Sequence, residues 1–390
     1  MEAIEFIPAY YYTTVYYTTL LVLCWFTVLY YIGAGSQRIL HAEGSPVQTA
    51  AFILSVLIFF FLGLRQASLE FGDCWLYALE YENFIPVFKS FSFNEEWLWY
   101  DMRSVSKILG LNVNEYFLAV EFFYIGGMFT CSLILMRKNL WIAMLFFFTA
   151  FQTFTFGTNG IRNGMACSIE LVAIALVIEE GPKRTFGFIL MLLAMGIHRS
   201  TMLPTAAAVA SIYWVKDTKW ALRFWISSIF ISLVAGSQLT QFFASLGFDD
   251  RMDQYSYEAT SEHFSGTGFR WDFWLYSVFP IIMIWYVTQY RKFTNLSYTI
   301  ISNVYLLCNA FWLIVIRSSF TNRFAYLSWF IYPVVMAFPV LRMNLWKDQD
   351  RKTALILFFY SGFTFFMFFI YYFGTGLGYR GLDLYWWRDQ

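Results

Sequence analysis

A succession of long apolar stretches is the feature that most limits how this chain can fold. At a rise of about 1.5 Å per residue, roughly 20 residues cross the roughly 30 Å hydrocarbon core of a bilayer. About twelve stretches of this order follow one another, at residues 14–33, 47–64, 113–136, 141–156, 163–178, 185–197, 201–215, 222–246, 271–290, 299–316, 324–341 and 353–373. A backbone in lipid must satisfy its own hydrogen bonds. We therefore predict an all-α polytopic membrane protein with about twelve transmembrane helices, forming a single integral membrane domain over residues 1–390.

The charge content supports this class of protein. Charged residues make up 13% of the 390 residues and hydrophobic residues 59%, whereas a soluble domain carries roughly 25% charged residues. The net charge is zero, which gives no sign of a nucleic-acid surface. The predicted partner is thus the lipid bilayer. The cysteines show no metal-ligand or disulfide-like spacing, which makes a structural metal site an unfavoured interpretation; they are Cys24, Cys74, Cys131, Cys167 and Cys308.

The distribution of basic residues predicts the orientation. Lysine and arginine concentrate in alternate short loops, which should be cytoplasmic. These residues are Arg38, Arg137, Lys138, Lys183, Arg184, Lys216, Lys219, Arg223, Arg291, Lys292, Arg342, Lys347, Arg351 and Lys352. The long segments 65–112 and 247–270 are then extracytoplasmic loops, and the active site should face the periplasm or the outside.

Several short outer turns nevertheless carry arginine. The positive-inside rule disfavours basic residues in these turns, which contain Arg162, Arg199, Arg317 and Arg323. The rigid fork of arginine matches phosphate better than the point charge of lysine does. We therefore expect an external pocket for a phosphate or pyrophosphate, although an interfacial anchor is an equally open interpretation of Arg162 alone.

A helical hairpin over residues 159–204 should bring an arginine and a histidine to one face of the membrane. Arg162 precedes its first apolar run and His198 follows its second. Histidine has an unperturbed pKa near neutrality, as a general base requires, and His198 is the histidine predicted in an outer turn between spans. A structural or phosphate-binding role for His198 is the alternative.

The first long outer loop contains a further pair of candidates. Arg65 ends the second apolar stretch, and Asp73 and Tyr77 follow one helical turn apart. Asp73 is predicted either to pair with Arg65 or to contact the substrate.

Taken together, these motifs resemble the EpsG-type branch of the Wzy polysaccharide polymerases. The matching residues are Arg65, Gly72-Asp73, Tyr77, Ile161-Arg162-Asn163-Gly164-Met165-Ala166, Lys183, Ala194-Met195-Gly196-Ile197-His198-Arg199-Ser200 and, more weakly, Thr321-Asn322-Arg323-Phe324-Ala325-Tyr326. The chain departs from the family pattern at Asn163, where glutamine is frequent, and at Arg199, where lysine is frequent.

The resemblance implies a GT-C-like membrane glycosyltransferase of the bacterial inner membrane, acting in O-antigen or exopolysaccharide synthesis without metal or cofactor. Such an enzyme transfers the growing glycan from undecaprenyl pyrophosphate to the non-reducing end of another lipid-linked repeat unit, and it can work with a chain-length regulator protein. The family motif maps onto His198 and Arg162 as catalytic residues. Substrate or pyrophosphate binding is assigned to Arg65, Asp73, Arg199, Arg317 and Arg323, the last two from their outer turn.

Other functions remain open from the residues themselves. A flippase or another transporter could use Glu115, Glu121 or Glu170, in or near the apolar stretches, to relay protons, or these groups could pair with an arginine between helices. No inverted repeat supports a transporter. An O-antigen ligase would use the same donor, and only the family resemblance separates it from a polymerase. A membrane O-acyltransferase is disfavoured because its histidine would lie deeper in a longer apolar run.

Overall fold

The computed structural model describes residues 3–34, 46–179, 181–245, 270–316 and 321–371. Within these ranges the secondary structure is helical and contains no strand. The α-helices are α1 (Tyr12–Ala34), α2 (Pro46–Gly63), α3 (Cys74–Glu82), α4 (Trp97–Ile108), α5 (Val113–Met136), α6 (Leu140–Phe148), α7 (Thr153–Thr158), α8 (Ile161–Val177), α9 (Pro182–Ile197), α10 (Met202–Tyr213), α11 (Thr218–Ser245), α12 (Trp271–Trp285), α13 (Leu296–Ile314), α14 (Thr321–Trp329), α15 (Tyr332–Arg342) and α16 (Gln349–Phe366).

Each apolar stretch that the sequence predicted coincides with one or two of these helices. By length and composition, five helical segments of the described chain can cross a membrane: Ala9–Gly33, Val113–Phe148, Leu296–Ile314, Arg323–Arg342 and Gln349–Ile370. The all-helical membrane class is confirmed. The number of twelve spans and the GT-C architecture stay predictions.

Two of the predicted stretches are broken. In the stretch 141–156, α6 ends at Phe148, and the hydroxyls of Thr149 and Thr153 donate to the carbonyls of Leu145 and Phe147, each at 2.7 Å. Such side-chain bonds compete with the helical ladder. The stretch 324–341 divides into α14 and α15 ahead of Pro333, which lacks the N–H that a continuous helix would use.

Of the predicted outer loops, only the first is described throughout. Within residues 65–112 the chain forms α3 and α4, so that much of this segment is helical. Of residues 247–270, only Arg270 is described, and it forms a bidentate ion pair with Asp272 at the start of α12 (2.6 and 2.9 Å).

The chain divides into two compact units. Unit 1 consists of the described residues within Met1–Val87, Asp101–Met165 and Val340–Gln390, and unit 2 of those within Phe88–Tyr100 and Ala166–Pro339.

Unit 1 is held together by packing between long apolar helices. Helix α1 packs along α16, and α2 packs along α5. Tyrosine hydroxyls bind carbonyls at the C-terminal end of α6, where helical acceptors are left over: Tyr16 donates to Phe148 O (2.8 Å) and Tyr360 donates to Phe146 O (2.9 Å). The polar ends of these large side chains are thereby satisfied inside an apolar interior.

Unit 2 is organised around α13, which packs against α10, α11 and α14. Asn309 of α13 is fully buried; it accepts from the Trp225 indole (2.7 Å) and donates to Ser328 Oγ (2.9 Å). This chain of bonds fixes how three helices meet. Glu170 of α8 is also fully buried, and its Oε1 accepts from Thr205 Oγ1 at 3.2 Å.

Candidate functional site

His198 lies at a tight junction between two helical segments of unit 2. Helix α9 ends at Ile197, and His198 adopts an extended conformation before the short 3₁₀ turn Arg199–Thr201. Its N–H donates to Ala194 O (3.0 Å), and its carbonyl accepts from both the N–H (3.1 Å) and the hydroxyl (2.9 Å) of Thr201. Because the backbone is held on both sides, the imidazole projects from a fixed point.

A carboxylate faces the imidazole of His198. Glu96 Oε1 lies 3.1 Å from His198 Nδ1, and the two side chains are 15% and 17% exposed. Glu96 is placed by the start of α4, since its carbonyl accepts from the N–H groups of Trp99 and Tyr100. The neighbouring Glu95 pairs instead with Lys89 at 3.0 Å and is about half exposed. Of the two adjacent glutamates, Glu96 is the one that reaches the histidine.

Ser200 also approaches the same nitrogen. Its N–H and its hydroxyl oxygen lie 3.4 and 3.3 Å from His198 Nδ1. Nδ1 therefore has an acceptor neighbour in Glu96, a donor neighbour in the Ser200 N–H, and in the Ser200 hydroxyl a neighbour that can donate or accept, so that the protonation state of the ring decides which contacts it makes.

A narrow cleft, without room for a water molecule in this structure, lies beside this junction within unit 2. Its walls are mainly aromatic and aliphatic, with one guanidinium; the lining residues are Phe91, Ser92, Phe93, Trp97, Leu192, Met195, Gly196, Arg199 and Met202. Gly196 is required here, because a Cβ on it would lie 2.7 Å from atoms of the Trp97 ring. The apolar and aromatic walls would suit an apolar chain or the flat face of a sugar ring, and Arg199 an anionic group, once the side chains move apart to open the cleft.

Arg162 occupies the first turn of α8, in unit 1, and is half-buried. The glycines beside it allow a close approach: a Cβ on Gly164 would collide with the carbonyl oxygen of Phe156 and come within 3.1 Å of the Tyr124 ring. The Asn-Gly-Ile-Arg-Asn-Gly motif thus packs the start of α8 tightly against the preceding helix and fixes the position of Arg162.

Arg65 is fully buried in unit 1. Its guanidinium donates to the carbonyls of Leu62 (2.6 Å) and Thr158 (3.3 Å), pairs with Glu121 at 3.5 Å, and lies over the Phe117 ring at 4.4 Å. The predicted pairing of an interhelical glutamate with an arginine is therefore observed for Glu121. Substrate contact by Arg65 stays a prediction, and its burial favours a structural role.

Asp73 lies immediately before α3, also in unit 1. Its N–H donates to Asn159 Oδ1 (2.8 Å), and its carbonyl accepts from Tyr77 N–H (2.9 Å). The Asn159 amide also lies over Gly72, whose φ of 59° suits glycine and where a Cβ would be 2.8 Å from that amide. The Gly-Asp motif and the Asn-Gly motif therefore meet in one contact.

The predicted site residues are thus distributed over both units. Arg65, Asp73 and Arg162 belong to unit 1, and His198, Arg199 and Arg323 belong to unit 2, where Arg323 is half-buried near the start of α14; Arg317 lies outside the described residues. Within unit 2, His198 is joined by Glu96, which the sequence analysis did not select as a site residue. The doublet Glu95-Glu96 gave no signal of which carboxylate faces the histidine.

Comparison with known proteins gives one positive result. The EpsG family model matches residues 49–380, which is most of the chain, whereas no curated protein and no solved structure matches. The matched range includes both glycine-flanked Arg162 and the His198 junction. This multi-pass helical membrane protein belongs to the EpsG family, a Wzy-like family of polysaccharide polymerases.

Proposed function

We propose that this protein polymerises lipid-linked oligosaccharide repeat units. It transfers the growing glycan from undecaprenyl pyrophosphate to the non-reducing end of another lipid-linked repeat unit, on the periplasmic or outer face of the bacterial inner membrane and without metal. The observation that carries the proposal is the EpsG match over residues 49–380. A GT-C-like arrangement of about twelve spans and a chain-length regulator as partner are part of the same proposal.

In this mechanism His198 is the general base. It takes the proton from the acceptor hydroxyl as that oxygen bonds to the anomeric carbon of the donor glycan. The bond between the anomeric carbon and the pyrophosphate oxygen breaks, and the leaving pyrophosphate keeps the electron pair. The fixed backbone of His198 supports this role, because a base must be held within hydrogen-bond reach of the proton it removes.

The arginines supply positive charge for the leaving group. Negative charge develops on the pyrophosphate as the bond breaks, and guanidinium groups stabilise it without a metal. Arg162 is the principal candidate, assisted by Arg199, Arg323 and Arg317. Asp73 is assigned to orienting the acceptor. We assign Arg65 to the fold, because it is fully buried and its guanidinium is held by two backbone carbonyls and Glu121.

The test is the lipid-linked glycan profile of the host after deletion of the gene. We expect a single repeat unit to accumulate, wild-type protein to restore a ladder of polymer, and His198→Ala to leave the single unit although the protein is present. His41→Ala and His263→Ala are matched controls and should restore the ladder. Repeat units trapped on the cytoplasmic face would instead identify a transporter.

Two further measurements test the chemistry of this site. Arg162→Lys should be severely impaired, because a planar fork is replaced by a point charge; polymer of wild-type length from this variant would count against phosphate recognition by Arg162. A chelator should leave activity undiminished, and a strict requirement for a divalent metal would overturn the metal-free mechanism.

A further inference from the structure

We propose that Glu96 is a positioning residue for His198, holding the imidazole in the tautomer that leaves Nε2 as the base. This inference rests on the proposed function, since it names a residue that acts through the proposed base. The juxtaposition that carries it is a carboxylate 3.1 Å from Nδ1 in a half-buried setting.

The contact with Glu96 decides the tautomer. Nδ1 accepts a bond if the Ser200 N–H at 3.4 Å is its partner, and it donates a bond if Glu96 is its partner. The Glu96 contact is the shorter one, and a hydrogen bond to an ionised acceptor is roughly twice as strong as one between neutral groups. The proton therefore sits on Nδ1, and the lone pair of the neutral ring is on Nε2.

The carboxylate also suits the reaction step. When Nε2 takes the proton of the acceptor hydroxyl, the ring becomes an imidazolium, and Glu96 then faces a full positive charge across the 3.1 Å contact. A carboxylate on the far nitrogen of a catalytic histidine both orients the ring and stabilises that cation, as the aspartate of the serine-protease triad does. Glu96 itself keeps its charge, and the imidazolium returns its proton to solvent after the pyrophosphate has left.

The adjacent Glu95 provides a matched control. It has the same side chain, lies one residue earlier in the same segment, and pairs with Lys89 rather than with the histidine. A change at Glu95 therefore alters the local charge by the same amount without touching His198.

The first experiment reads the tautomer directly. The chain has 3 histidines, so a full-length His41→Gln/His263→Gln protein labelled with ¹⁵N-histidine reports His198 alone in micelles. At a pH where the ring is neutral, we expect the proton on Nδ1 in the parent protein. The fraction of rings protonated on Nε2 should rise in Glu96→Ala and should stay unchanged in Glu95→Ala. An unprotonated Nδ1 in the parent protein, or a tautomer that ignores Glu96→Ala, would overturn the proposal. If Glu96→Ala does not fold, Glu96→Gln, which removes the charge and replaces one acceptor oxygen by an NH2 donor, is read in its place, with the same shift of the proton expected.

The second experiment measures the effect on turnover. Wild-type, Glu96→Gln and Glu95→Gln proteins are compared in membrane vesicles, with lipid-linked repeat units extracted from the deletion strain as substrate. We expect Glu96→Gln to lower kcat by at least about tenfold with little change in KM, because the tautomer of the base is lost while substrate binding is kept. Glu95→Gln should match the wild type.

The two readouts separate this inference from the proposed function. If His198→Ala abolishes polymer while Glu96→Gln turns over at the wild-type rate, the positioning role is overturned and the polymerase stands. If the deletion strain reveals a different activity, the polymerase and its base assignment fall, while the tautomer measurement still decides whether Glu96 sets the proton on His198.

Discussion

Two pairs of a glutamate and a basic side chain in this protein have contrasting settings. Arg65 and Glu121, in unit 1, are 0% and 1% exposed, and the arginine is enclosed by two backbone carbonyls and an aromatic ring. His198 and Glu96, in unit 2, are 17% and 15% exposed and lie beside a cleft. A buried charge that the chain itself surrounds is a fixed part of the interior, whereas a partly exposed pair keeps some access to a ligand. The first pair should therefore govern folding and the second should govern activity.

The largest effect is expected from breaking the buried pair on one side. Arg65→Met should leave the Glu121 carboxylate buried without its cation, at a cost of about 3–5 kcal/mol. We expect little folded protein, measured by size-exclusion chromatography of the detergent-solubilised chain.

A double replacement sharpens that experiment. Arg65→Met with Glu121→Met removes both charges together, and paired hydrophobic replacements of this kind are often neutral or stabilising. Most of the lost folded protein should return. A double variant as poor as the single one would mean that Arg65 contributes mainly through its bonds to the Leu62 and Thr158 carbonyls.

A smaller effect is expected at the wall of the cleft. Gly196→Ala places a methyl group against the Trp97 ring, and overpacking of this kind costs about 1–3 kcal/mol. We expect a modest fall in thermal stability together with reduced polymer, because the ring forms part of the cleft. Gly126→Ala is the control, since a Cβ there meets no atom within 4 Å; equal effects in both variants would contradict the assigned contact.

The link between the Gly-Asp and Asn-Gly motifs should matter less. Asn159→Ala removes the acceptor of the Asp73 N–H and should cost about 1–3 kcal/mol if that N–H is left without a partner, or less if water replaces the amide. Asn159→Asp keeps an acceptor oxygen and should retain most of the stability. Thermal unfolding of the wild type, Asn159→Asp and Asn159→Ala in detergent should give stabilities that fall in that order.

The smallest effect on stability is expected at the partly exposed pair of His198 and Glu96. One hydrogen bond contributes about 0.5–1.5 kcal/mol net, so His198→Ala and Glu96→Gln should unfold within about 1.5 kcal/mol of the wild type although both lose activity. A large loss of stability in either variant would remove the contrast with Arg65 and assign both pairs to the fold.

Much of the helical fold could be predicted because apolar length is a local property of the sequence. The stretch 113–136 matches α5 at both ends, and the start of that helix is marked by a capping box between Asn112 and Glu115. The interruptions were harder to predict. The break after Phe148 depends on threonine hydroxyls that donate to backbone carbonyls of the preceding helix. Hydropathy does not show whether a threonine makes such a bond.

The candidate site could be predicted only in part. The residues of the Asn-Gly-Ile-Arg-Asn-Gly and Ile-His-Arg-Ser motifs were found because they are contiguous in the chain. Glu96 was not singled out, because its contact with His198 joins positions far apart in the sequence and arises only from tertiary packing. Likewise, the choice of Glu121 as the partner of Arg65, and of Thr205 for Glu170, follows from helix packing.

The short segment 88–100 brings together features that would ordinarily evolve separately. It contributes Phe91, Phe93 and Trp97 to the cleft and Glu96 to the histidine. A relative with a different segment here would change the shape of its cleft and the support of its base in one step. Among homologues, the residues of segment 88–100 should therefore vary together. Chimeras that exchange the whole segment should retain more activity than chimeras that exchange only part of it.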